Sequence, residues 1–149
     1  MRLPPMDLVA SVQAALRDAG IGSVVGGSGL LASMGLVDTV NDWDLVTDAE
    51  ERAVQVVLRA LGLPDAPDPG DATGFATRAL HRLERAGEQV DLLVGFAIRT
   101  SDTVVHIPAA PGESWRGLTM ARPADWVLAY RAMGRTEKAA LLEQALAGR

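Results

Sequence analysis

The chain has no cysteine, which excludes disulfide frameworks, thiolate metal sites and cysteine nucleophiles. Histidine is almost as scarce. Only His81 and His106 occur, too few for an imidazole-built metal centre, so any bound metal is expected to be a hard cation held by oxygen ligands. Lys138 is the single lysine; the other basic residues are arginines. No apolar run reaches the roughly 18 residues that a membrane span requires, and Met1-Arg2-Leu3-Pro4-Pro5 lacks the basic-then-apolar pattern of an export signal. No membrane association is expected, and the location expected is cytoplasmic. The net charge of −5 denies the chain the overall basic footprint of a nucleic-acid binder, although a local basic patch is compatible with it.

What is present is an ordinary globular composition. Hydrophobic residues make up 48% and charged residues 22% of 149 residues, enough for one domain with its own core. Helical spacing runs over Met6–Ala19, with Gly20 placed to end it. Ile21–Val25 reads as a short buried strand that enters the turn Gly26-Gly27-Ser28-Gly29, and a short helix follows over Leu30–Met34. After a turn at Asp38-Thr39-Val40-Asn41, the alternating stretch Asp42–Thr47 reads as a strand with Asp42, Asp44 and Val46 on one face. Thr47-Asp48-Ala49-Glu50 has the form of a capping box, opening a helix to about Leu61. A Pro/Asp/Gly-rich loop over Leu63–Gly74 precedes a hairpin, Phe75–Glu84 and Gln89–Val94, turning at Arg85-Ala86-Gly87-Glu88. Val104–Ile107 is a further strand, Ala109–Gly117 is irregular, a helix starts at Pro123 and ends before Gly134, and Thr136–Ala147 is a last helix. The expected class is α+β: a small mixed sheet with flanking helices. One domain is expected over 1–149, with a core at about 20–108 and a C-terminal helical segment at about 120–149.

Three features carry chemistry. The Gly26-Gly27-Ser28 turn opens a helix, where glycine lets a phosphate approach the backbone and Ser28 offers a hydroxyl. Asp42-Trp43-Asp44 points two carboxylates the same way from one strand; like charges that close repel, and a divalent cation is the simplest compensation. Asp91 is a lone acid in the apolar run Gln89-Val90-Asp91-Leu92-Leu93-Val94. If its strand lies beside that of Asp44, three carboxylates converge in the manner suited to metal-assisted phosphoryl transfer. Arg78, His81 and Arg82 on the hairpin form a weaker acceptor-site candidate. Trp43, Trp115 and Trp126 read as packing residues.

The Gly-Ser turn, the acid–hydrophobic–acid strand and the later lone acid, in that order over Ile21–Val94, resemble the DNA polymerase β-like nucleotidyltransferase superfamily. Within it, Gly26 to Gly35 look most like the AbiEii-type nucleotidyltransferases, which include bacterial toxins. The resemblance implies the nucleotidyltransferase fold and transfer of a nucleotidyl group from a nucleoside triphosphate, with ATP the expected donor, and release of pyrophosphate. It implies that Asp42, Asp44 and Asp91 are catalytic and ligate Mg²⁺ or Mn²⁺, that Asp91 helps activate the acceptor, and that Gly26, Gly27 and Ser28 hold the triphosphate. The resemblance leaves the acceptor open among a hydroxyl or phosphate on RNA, protein or a small antibiotic-like molecule, and an antitoxin is a candidate partner. The C-terminal helix departs from the family pattern: Tyr130-Arg131 stands where a lysine is expected and Ala139 where an aspartate is. Arg131 or Arg135 is expected to neutralise phosphate charge there.

Two other readings compete. Gly27-Ser28-Gly29-Leu30-Leu31-Ala32 also fits a dinucleotide-binding fingerprint, with Asp48 near the spacing of a ribose-binding acid. A non-catalytic binding or regulatory module on the nucleotidyltransferase fold is the remaining alternative.

Overall fold

A computed structural model describes residues 3–68 and 76–148. The loop expected over Leu63–Gly74 falls partly outside these residues, as does Phe75, placed at the start of the hairpin strand. The elements are α1 (Asp7–Asp18), β1 (Val24–Gly26), α2 (Gly27–Ser33), β2 (Trp43–Thr47), α3 (Glu51–Ala60), β3 (Ala79–Arg85), β4 (Glu88–Val94), β5 (Ala97–Arg99), β6 (Val104–His106), β7 (Pro111–Trp115), β8 (Leu118–Ala121), α4 (Pro123–Ala132) and α5 (Thr136–Ala147). The α+β class holds.

Six strands form one mixed sheet in the order β3-β4-β2-β1-β8-β7, and β5 pairs with β6 separately. β2 runs parallel to β4 and antiparallel to β1. That antiparallel step removes the dinucleotide-binding reading, because a strand–helix–strand crossover returns a parallel strand.

Alternation divides the sheet. Trp43, Leu45, Val90 and Leu92 share one register-matched face, and all are buried. Helices α1 and α3 cover it: Pro5, just before α1, accepts a hydrogen bond from Trp43 Nε1 (3.1 Å), and Glu51 in the first turn of α3 meets His81 (2.7 Å). On the opposite face lie Asp44, Asp91 and Arg82. There α4 approaches the end of β1, where Trp126 lies against Gly26.

Local structure departs from the sequence reading in several places. The capping box does not form. Glu50 is the N-cap of α3 without a side-chain bond, while Thr47 Oγ1 donates to the Gly22 carbonyl (2.7 Å) and accepts from Ala49 N–H (3.3 Å). Thr47 is held by the sheet and is therefore not available to the helix. The segment Ala109–Gly117, expected to be irregular, contains β7 and the turn at Arg116-Gly117, with φ of 50° and 82°, that pairs it with β8. Both left-handed values match the turn that suits twisted two-stranded ribbons, as do 52° and 81° at Ala86-Gly87. Strand β5 pairs with β6 in register at Ile98 and Val105 and was not anticipated.

Candidate active site

One row of backbone organises the site. Arg82 faces Asp91 across β3–β4, Asp91 faces Asp44 across β4–β2, and Asp44 faces Gly26 across β2–β1. Directly opposed residues in a sheet project to the same face, so a guanidinium, two carboxylates and a glycine line up over four adjacent strands. Asp42, one residue before β2, lies at the exposed mouth of the same cleft.

The turn after β1 closes on this row. Gly27 has φ of 59°, and a Cβ built there would overlap the Asp44 carboxylate. A Cβ on Gly26 would overlap the Trp126 ring. These two glycines are therefore required by close approach on both sides of the turn. Ser28 Oγ accepts a hydrogen bond from Asn41 N–H (3.3 Å), tying the glycine turn to the residue before Asp42. Helix α2 has seven residues, so the turn's contribution is accessible backbone and a hydroxyl more than a helix dipole.

The cleft encloses about 290 Å³ and includes Gly27, Ser28, Asp42, Asp44 and Asp91. Phe96, Trp126 and Tyr130 form its aromatic wall: Phe96 stacks on Trp126 at 5.4 Å between centroids, and Trp126 meets Tyr130 edge-on at 5.5 Å. Trp43 is core, as expected, but Trp126 packs and lines the cleft together.

Of the two arginines offered for phosphate charge, Arg135 lines the cleft and Arg131 does not. Arg131 pairs with Glu143 across α4 and α5 and is absent from the cleft lining, because its position on α4 faces the neighbouring helix. Arg135 and Lys138 line the cleft instead, with Lys138 Nζ 5.5 Å from the Tyr130 ring centroid. Helix α5 folds back onto α4, which brings Lys138 beside the Tyr130 ring. Of the hairpin trio, only Arg82 reaches the cleft. His81, one residue away, faces α3 and is buried there against Glu51. Arg78 donates to the carbonyls of Asp48 and Ala49 (3.1 and 3.2 Å).

Electrostatics mark the centre. Burial, reinforced by the charges of Asp91 and Asp42, pushes the Asp44 carboxyl up to about 7, while Arg135 and Lys138 oppose the shift. Burial likewise raises Asp91, against the opposing charge of Arg82. Burial and the Asp44 charge push the Tyr130 hydroxyl up to about 12. Two strand-borne carboxylates that resist joint ionisation invite a cation. Among the described residues no three acidic or histidine side chains form a ready-made ion cage. An all-oxygen donor set of this kind fits a hard cation that takes one or two carboxylates and completes its shell with phosphate oxygens and water.

No protein-family model matches the chain, and no curated protein does. Solved structures do. A Thermotoga maritima protein designated a nucleotidyltransferase superposes with a TM-score of 0.64 at 20% identity, covering 97% of this chain and 93% of its own. The antibiotic-resistance factor ANT(2'')-Ia in solution gives 0.61 at 17% identity, covering 93% of this chain and 82% of its own. Its crystal structure in complex with adenylyl-2''-tobramycin gives 0.54 at 14%, covering 93% and 87%. At these identities the likeness concerns the fold: this chain has the fold of the nucleotidyltransferases.

Proposed function

We propose that the chain is a nucleotidyltransferase dependent on Mg²⁺ or Mn²⁺, moving a nucleotidyl group from a nucleoside triphosphate, with ATP the donor, to an acceptor hydroxyl or phosphate. The observation that carries this reading is the Gly26–Asp44–Asp91 row, with the Gly27 backbone packed on the Asp44 carboxylate. Asp42, Asp44 and Asp91 would hold the metal; when bound, the ion neutralises charge on the reacting phosphate and aligns it with the nucleophile. Gly26, Gly27 and Ser28 would cradle the triphosphate, and Arg135 and Lys138 would offset its charge. Asp91 would accept the proton of the acceptor hydroxyl as its oxygen bonds to the α-phosphorus, and the bond from that phosphorus to pyrophosphate breaks. The aromatic wall of Phe96, Trp126 and Tyr130 would exclude water from that side. The adenylylated tobramycin bound to ANT(2'')-Ia supports adenylyl transfer as a chemistry this fold accommodates.

The turn sequence Gly26–Gly35 supports an AbiEii-type assignment, and with it a cytoplasmic toxin countered by an antitoxin. The departure at Tyr130-Arg131 does not remove basic charge from the cleft, since Arg135 and Lys138 are there; this weighs against the non-catalytic alternative. Titration with Mg-ATP followed by incubation with α-labelled ATP tests the proposal. Nucleotide binding and label transfer are expected from the wild type, with transfer lost by about a thousandfold or more in Asp44→Ala, the scale of removing a principal electrostatic group. Unchanged transfer in Asp42→Ala and Asp44→Ala would refute the mechanism.

A further inference from the structure

We propose that the acceptor carries a phosphate monoester beside its nucleophilic hydroxyl, and that Arg82 on the edge strand β3 binds that phosphate. The proposal rests on the functional reading above and names the substrate class for the same cleft.

The cations of the cleft are divided between its ends. Arg135, at the N-cap of α5, and Lys138, in its first turn, both act on Asp44, the carboxylate against the Gly27 turn. Arg82 stands at the other end of the row, beyond Asp91, and its charge acts on Asp91. Strands are spaced about 4.8 Å apart, so the Arg82 backbone lies about 5 Å from that of Asp91 and about 14 Å from that of Gly26. A triphosphate cradled at Gly27 and reacting between Asp44 and Asp91 leaves Arg82 on the far side of the reacting phosphorus. In-line displacement brings the acceptor from that side, opposite the leaving pyrophosphate.

Arg82 is built for such a role. Its side chain is 64% exposed yet is held by Asp68, with Nε–Oδ2 at 2.7 Å; Asp68 N–H in turn donates to the Leu80 carbonyl on the same strand (2.7 Å). A guanidinium has five N–H donors, more than one carboxylate occupies, and its planar fork suits phosphate. An exposed ion pair is weak enough to share its cation with a doubly charged phosphate. Arg82, Asp42 and Asp91 also border a second cavity of about 70 Å³, which Glu84 of β3 and Gln89 of β4 line as well. This gives the body of a small acceptor hydrogen-bonding groups beside the reaction centre. Among the described residues the carboxylates of the main cleft are Asp42, Asp44 and Asp91, all assigned to the metal, and Glu84 is the one further acid in the side cavity.

The test uses the full chain. Binding of a non-hydrolysable ATP analogue with Mg²⁺ is measured first, then ribose 5-phosphate, ribose and tobramycin are titrated into the loaded protein by calorimetry. Ribose 5-phosphate is expected to bind at least tenfold more tightly than ribose. Arg82→Ala is expected to weaken ribose 5-phosphate at least tenfold while leaving the ATP analogue within twofold, and Arg82→Lys to recover part of the loss. Retained analogue binding shows that each variant is folded. Equal affinity for ribose 5-phosphate and ribose, tighter binding of tobramycin, or an Arg82→Ala variant that loses the analogue as well would overturn the proposal. A chain that takes no analogue refutes the functional reading itself and this inference with it; a chain that takes analogue but not ribose 5-phosphate refutes this inference alone.

Discussion

Asp44 and Asp91 sit directly opposite each other on the parallel strands β2 and β4, and each carboxyl is raised above its ordinary range chiefly by burial. Without a cation the pair is electrostatically costly, and its predicted consequences are thermodynamic as well as catalytic.

Stability of the metal-free protein should depend on pH through Asp44. The unfolded carboxyl titrates near 3.8 and the folded one near 7. A raised folded value means that this group's contribution is full below about 3.8 and is lost as pH rises towards and through 7. Relative to Asp44→Asn, the wild type in EDTA should lose several degrees of melting temperature between pH 5 and pH 8, corresponding to a few kcal/mol at most. Millimolar Mg²⁺ should restore much of that loss at pH 8. Parallel melting curves for the two proteins across this range would contradict the assignment.

Gly27→Ala should damage the site more than the fold. A left-handed φ costs a non-glycine residue about 1–2 kcal/mol, and the new methyl must displace the Asp44 carboxylate. Melting should fall by no more than about 8 °C, whereas transfer should fall by about a hundredfold, the scale of misplacing a reacting group by about 1 Å. A variant with wild-type turnover would show that the turn does not set the position of Asp44.

The basic residues of the last two helices should divide sharply. Lys138→Ala removes a cation from the cleft and should raise the Kd for Mg-ATP by about tenfold, or about 1.4 kcal/mol. Arg131→Ala breaks an exposed pair with Glu143, worth about 0–1 kcal/mol of stability, and should leave nucleotide affinity within twofold. The opposite ranking in a titration series would return Arg131 to the site.

Glu51→Ala should destabilise without touching chemistry. His81 is buried with Nε2 bonded to Glu51 and Nδ1 unpartnered. Removing the carboxylate leaves the ring with no partner at a cost of about 1–3 kcal/mol. Turnover per folded molecule should be unchanged, because His81 lies on the face of the sheet away from Asp44. A selective loss of turnover at unchanged melting temperature would place His81 in the mechanism.

Much of this was legible along the chain. The final helix spans Thr136–Ala147 as read, and α1 agrees within one residue at either end, since helical periodicity and terminating glycines are local signals. The first hairpin announced itself through alternation around Ala86-Gly87. The second did not. Four of the five residues of β7 are exposed, and the strand includes Pro111 and Gly112, so no apolar alternation marks it although its turn at Arg116-Gly117 has the same geometry. The capping-box pattern at Thr47 misled because a local motif lost its side chain to a sheet contact at Gly22.

The sequence by itself determined that two acids, Asp42 and Asp44, flank a buried tryptophan, that a glycine turn precedes them, and that Asp91 is an acid out of place in an apolar strand. Those facts follow from the two-residue period of a strand and from composition. Only the tertiary structure decided that Asp91 lies level with Asp44, that Arg82 and not His81 reaches the cleft, and that Lys138 stands there in place of Arg131. Each of these depends on register across the sheet or on the angle at which α5 returns over α4. Such contacts join residues far apart along the chain, and no local periodicity encodes them.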